Sequence, residues 1–171
     1  MGSEMCIRDS LNIWSPRLSE QEINEMDKPL PVMMWIHGGG NIVGDAKIYD
    51  PSMLVSEQEV IVVTIQYRMG ALGWFRHPSL VDQNSSLEEK SGNFGTLDTI
   101  AALKWIKKNI DAFGGDPNNV TIFGESAGGH NVTALFASPL AAGLFHKVIV
   151  QSGVSSCLLY TSPSPRDLST S

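Results

Sequence analysis

Between Leu11 and Ser156 this 171-residue chain contains no cysteine; its two cysteines, Cys6 and Cys157, sit near its ends. A disulfide framework across the body of the chain is therefore excluded, and cysteine usage says nothing about redox compartment. Basic charge is also scarce. Twelve Lys and Arg stand against 18 Asp and Glu, a net charge of −6, which disfavours nucleic acid or an anionic membrane as the main partner. No stretch approaches the roughly 20 apolar residues needed to span a bilayer. Internal repeats and low-complexity linkers are missing too. Neither glycine cluster is followed by Gly-Lys-Ser/Thr or shows Gly-x-Gly-x-x-Gly spacing, so phosphate and dinucleotide loops are disfavoured.

What is present alternates. Apolar, strand-like runs at Leu11 to Trp14, Val32 to Ile36, Val60 to Gln66, Val120 to Phe123 and Lys147 to Val150 are separated by helical patterns and by Gly, Pro and Asn turns. That order predicts an α/β fold whose mostly parallel sheet is covered by helices on both faces. Thr96 to Phe113 is the clearest helix, with Leu97, Ile100, Leu103, Ile106, Ile110 and Phe113 spaced to bury one face and Lys104, Lys107 and Lys108 on a solvated one. Asn93 is placed to cap it.

The chemistry concentrates at Gly124-Glu125-Ser126-Ala127-Gly128. The pentapeptide follows the buried-strand run Val120 to Phe123 and precedes a helix over Ala127 to Ala137, the setting of a nucleophile elbow. There a serine sits on a sharp turn that lifts its hydroxyl above the sheet, and Gly124 and Gly128 leave the room the cramped backbone needs. Attack by such a serine on a carbonyl creates an oxyanion, which needs preplaced N–H donors. Gly38-Gly39-Gly40, after the strand ending at Ile36, offers them, as does the amide of Ala127. The other reading of the glycine run is an ordinary strand-exit turn.

These motifs, taken in order, resemble the type-B carboxylesterase and cholinesterase family of α/β-hydrolases. The resemblance runs through Leu11-Asn12-Ile13-Trp14, Pro31 to Gly40, Val62 to Gly73, Gly92 to Asp98, Asn109 to Gly129, Gly143-Leu144-Phe145 and Gln151-Ser152-Gly153. Thr96 and Thr99 depart from it, in helix packing only. It implies Ser126 as nucleophile, Gly39, Gly40 and Ala127 as the oxyanion hole, and Glu125 as an acidic neighbour in the gorge, supported by Gly38, Gly124 and Gly128. It implies a small-molecule carboxylic ester as substrate, with no cofactor and no metal, and leaves oligomeric state and localisation open. A non-catalytic adhesion-type relative, or a lipase or amidase on the same scaffold, are the competing functions; the retained serine speaks against the first.

The acid and the histidine of a triad are expected after the serine in chain order, and the resemblance puts both beyond Gly153. Four histidines are nevertheless present. His37 is expected to brace the glycine loop, His77 to lie in a polar loop, and His146 to precede the last strand. His130, one turn after Ser126, is the least poor substitute base, and Asp98 reads as a packing or capping group. The ends carry a separate signal. A coding sequence for Met1 to Asp9, starting at GTG, has a reverse complement that encodes Cys157 to Pro165. Residues 1–10 and 157–171 are therefore expected to be translated adapter sequence, excluded from fold reasoning, flanking a partial hydrolase domain at 11–156. That domain is expected to be inactive alone, truncated after the elbow helix and the next strand.

Overall fold

A computed structural model describes residues 10–82 and 84–153. The segments expected to be adapter-derived therefore lie, Ser10 apart, outside the described residues, as do Cys6, Cys157 and residues 154–156. Five strands form one sheet: β1 (Leu11–Trp14), β2 (Leu30–Ile36), β3 (Ile61–Ile65), β4 (Gly115–Glu125) and β5 (Lys147–Gln151). Their order is β1-β3-β2-β4-β5, with β1 antiparallel to β3 and every other pair parallel. The helices are α1 (Glu20–Glu25), α2 (Ser52–Gln58), α3 (Gly70–Gly73), α4 (Leu87–Ser91), α5 (Phe94–Asn109) and α6 (Ala127–Ala137).

Alternation along the strands sorts the core. Val32, Met34 and Ile36 of β2, Ile61, Val63 and Ile65 of β3 and Val120 and Ile122 of β4 turn to one face. There they meet Ile100, Leu103 and Ile106 of α5 and Val132 and Leu135 of α6. Each such side chain contributes about 1.5–3 kcal/mol by leaving water. On the other face the Trp35 ring packs between Tyr49, with centroids 5.1 Å apart, and Phe123, at 4.9 Å. The strand β3 is buried along all five residues, whereas β5 is mostly exposed.

Three expectations need correction. The long helix begins at Phe94 and turns to 3₁₀ geometry over Ile110–Phe113. Three residues per turn rotate Phe113 off the apolar face, so it is 37% exposed, its ring 6.2 Å from Trp105, and Leu97 is only partly buried. Asn93 does occupy the position before the helix, but its side chain makes no capping bond. At φ −92° and ψ 49° it lacks the extended backbone that aims a cap inward; only its carbonyl serves, accepting from Leu97 N–H at 3.0 Å. Finally, β4 takes in the Gly-Asp-Pro-Asn-Asn stretch read as a turn. Its register against β2 jumps from Leu30–Gly115 to Val32–Val120, so the turn survives as an excursion inside the strand.

Candidate active site

Parallel pairing decides where the site lies. Ile36 of β2 is opposite Gly124 of β4, so both strands end at one level and their following loops meet there. After β4 the chain reverses sharply: Ser126 holds φ 56° and ψ −121°, and α6 starts at the next residue. Positive φ in a serine costs on the order of 1–3 kcal/mol. Two backbone bonds hold it, Ser126 N–H to the Gln151 carbonyl at 2.9 Å and His130 N–H to the Ser126 carbonyl at 3.1 Å. The Ser126 side chain does not cap its helix. Its hydroxyl is thus left to other partners.

Close packing under the elbow depends on the absence of side chains. A Cβ on Gly128 would overlap the Ile36 carbonyl oxygen, and one on Gly124 would lie 2.6 Å from the Gly128 carbonyl carbon. Across the cleft, a Cβ on Gly38 would stand 3.2 Å from the Cβ of Ser126 and 2.8 Å from the Glu125 carbonyl oxygen. Glycine is therefore required for the loop after β2 to reach Ser126. Gly39 has φ 107° and Gly40 φ 65°, and the Gly39 carbonyl accepts from both Ile42 and Val43 N–H at 3.1 Å. Among the described residues the N–H groups of Gly39, Gly40 and Ala127 have no hydrogen-bond partner. Gly39 and Gly40 are exposed and Ala127 is buried at the start of α6. Glu125 is exposed at the strand end, with Oε2 beside Gly38.

His37 braces this loop, as expected. Its ring is fully buried, and Nδ1 donates to the Gly38 carbonyl at 2.8 Å, leaving Nε2 as an acceptor with no partner among the described residues. The imidazole stacks on Tyr67 at 4.5 Å. Burial pushes its pKa below the ordinary value, against the Gly38 bond and the Asp45 charge, so the neutral ring predominates at neutral pH. Burial likewise raises the Tyr67 phenol.

The other histidines are elsewhere. His77 accepts from Ser79 N–H at 3.2 Å in its own turn. His146 accepts from Val120 N–H at 3.1 Å, at the end of the sheet away from Ser126. His130 lies on α6, its backbone in the first-turn bond to Ser126. Asp98 receives Arg68 Nε and Nη2 at 2.8 Å each and the Arg68 backbone N–H at 3.0 Å. It is a packing group that ties α5 to the segment after β3. Among the described residues no histidine or carboxylate hydrogen-bonds the Ser126 hydroxyl. Among the described residues the arrangement brings Ser126 beside a glycine turn with unpartnered N–H groups. Sequence reading also missed Tyr67, Asn41 and Asn131, which surround the glycine loop. Their contacts span 26 to 90 positions, beyond any local spacing signal. No described helix is long and apolar enough to cross a membrane.

Comparison with known proteins meets the same pattern. The model of the carboxylesterase family matches residues 2–171. Carboxylesterase 1E of Rattus norvegicus is 49% identical over 153 residues, covering 90% of this chain and 25% of the relative. The medium-chain fatty acyl-CoA hydrolase precursor of Anas platyrhynchos is 49% identical over 159 residues, covering 93% and 26%. Among solved structures, a pNB esterase superposes with a TM-score of 0.72 at 46% identity, over 88% of this chain and 28% of its own. A polyester-hydrolysing esterase from Clostridium hathewayi gives 0.73 at 42% identity, over 85% and 28%. The chain thus spans about a quarter of the length of the curated relatives it matches. Half-identity over nine-tenths of the chain, on a shared sheet, settles the kinship: this chain belongs to the carboxylesterase family and carries part of an α/β-hydrolase fold.

Proposed function

We propose that residues 11–156 are the N-terminal part of a longer serine hydrolase that cleaves small carboxylic esters. In this reading Ser126 Oγ attacks the ester carbonyl while a base takes its proton. The N–H groups of Gly39, Gly40 and Ala127 receive the oxyanion. Collapse of the tetrahedral adduct expels the alcohol, protonated as it leaves, and forms an acyl-serine. Water then adds by the same route and releases the acid. The acid and histidine that activate Ser126 come from the remaining length of the protein. A serine without its base is a weak nucleophile, and loss of a triad histidine costs on the order of a millionfold. The 171-residue chain alone is accordingly a half-site with negligible turnover.

The observation that carries this reading is the strained Ser126, φ 56°, beside a glycine turn whose Gly39 and Gly40 N–H groups have no partner among the described residues. Relatives named as carboxylesterase and acyl-CoA hydrolase support acyl transfer as the reaction class. The test compares the full-length protein, its Ser126→Ala variant and the 171-residue chain on a short-chain aryl ester. Turnover is expected in the first alone. Activity that survives the alanine change defeats the assignment of Ser126, and serine-dependent turnover by the short chain defeats its inactivity.

A further inference from the structure

The loop after β2 and the helix after β4 are joined a second time, through side-chain amides. Asn131 lies on α6 and is 8% exposed. Its Nδ2 donates to Asn41 Oδ1 at 2.9 Å, and Asn41 Nδ2 returns a longer bond to Asn131 Oδ1 at 3.4 Å. Asn41 directly follows Gly40 and holds φ 59°. Its backbone carbonyl accepts from Gly70 N–H at 2.6 Å. The Tyr67 hydroxyl completes the group, donating to the His37 carbonyl at 2.7 Å with a weaker contact to Asn41 Oδ1 at 3.4 Å. The stretch from His37 to Asn41 is therefore held at both ends, and its far end is fastened to α6, the helix that begins just after Ser126.

This fastening has a chemical consequence. Three successive glycines are the most mobile backbone a chain can offer, while donors to a developing oxyanion act only if already in place. Gly38 packs against Ser126, but Gly39 and Gly40 have no side chain that can hold their own distance from it. The amide pair can, because breaking it strands buried polar atoms at a cost of about 1–3 kcal/mol. Asn131 is also a poor choice for a buried helical position on propensity alone, where Ala or Leu would serve better. We infer that Asn41 and Asn131 are positioning residues, whose amide pair sets the separation between the Gly39 and Gly40 N–H groups and Ser126. The inference rests on the role of those groups proposed above.

The test uses the full-length protein with a short-chain aryl ester as substrate and an aryl trifluoromethyl ketone as tetrahedral analogue. Asn41→Ala and Asn131→Ala are each expected to lower kcat about tenfold or more, with KM within about twofold. Ketone affinity falls in parallel. The double variant loses no more than the worse single one, since either change breaks the same pair. A purely structural pair would lower Tm but leave kcat per folded molecule and ketone affinity intact; that outcome, or additive losses, overturns the inference. Should Asn131→Ala not fold, Asn41→Ala on the loop and Tyr67→Phe, which removes a single oxygen, decide by the same criteria. Ser126→Ala is assayed alongside. Residual turnover there removes the underlying site assignment, whereas an inert Ser126→Ala beside a fully active Asn41→Ala removes only the amide pair.

Discussion

Ser126 is held in a conformation that few non-glycine residues adopt, and its stability should reveal that. Ser126→Gly is expected to raise the stability of the 171-residue chain by about 1 kcal/mol, seen as about 2–4 °C in Tm. A lower Tm in the glycine variant would show that the serine carries no strain. His37 offers a second measurement. The unfolded chain protonates this imidazole near about pH 6.5, the folded one only at lower pH because burial opposes the charge. Between those values the unfolded state binds more protons, so the His37 contribution is complete above about pH 6.5. It is lost as pH falls through that value toward the folded pKa. His37→Asn, which can still offer a donor to Gly38, should flatten the decline of Tm between about pH 7 and about pH 5. Equal slopes in both proteins would exonerate His37. Ser126 and the glycines were legible as residues because a strand-to-helix elbow writes its needs into five adjacent positions. Asn41, Asn131 and Tyr67 were not, since their bonds form only after the sheet has brought distant segments together.

The elements follow the same division between local and distant causes. The apolar, strand-like runs announced all five strands, and α6 begins and ends where its sequence implied. The Ser19 to Glu22 capping box of α1 was present in the sequence and went unread; its hydroxyl receives the Glu22 N–H at 3.3 Å while Glu22 reaches back to Ser19 N–H at 2.7 Å. The excursion in β4 was not legible, because only pairing with β2 makes Gly115 part of a strand. One element junction depends on charge. Arg68 joins Asp98 at 2.8 Å, with side chains 21% and 10% exposed, and lies 4.8 Å over the Phe94 ring. Asp98→Ala leaves that guanidinium half-buried without its carboxylate, and should cost about 2–3 kcal/mol in a urea melt of the 171-residue chain. Asp98→Asn, which keeps an acceptor, should cost less. A loss below about 0.5 kcal/mol for the alanine change would mean water replaces the carboxylate fully.

At the scale of the molecule the sheet is unevenly dressed. One face is closed by α5 and α6. On the other, a cavity of about 340 Å³ opens beside Trp35, Tyr49, Leu54 and Phe123. Ile149 and Val150 of β5 are 43% and 41% exposed, and Phe136 on α6 is 70% exposed. Edges and apolar surface of this kind recruit further strands or other chains. The 171-residue chain is expected to self-associate at micromolar concentration, and Ile149→Lys to reduce that association, both read by light scattering. A monomer with a sharp cooperative melt would contradict this. The pairing of Ile36 with Gly124 also has a meaning in time. Roughly ninety residues must be looped before those two strands meet, a closure whose entropic cost grows only slowly with length. During synthesis the glycine turn therefore waits, long since made, until the serine leaves the ribosome. Both halves of the cleft are then born in one event.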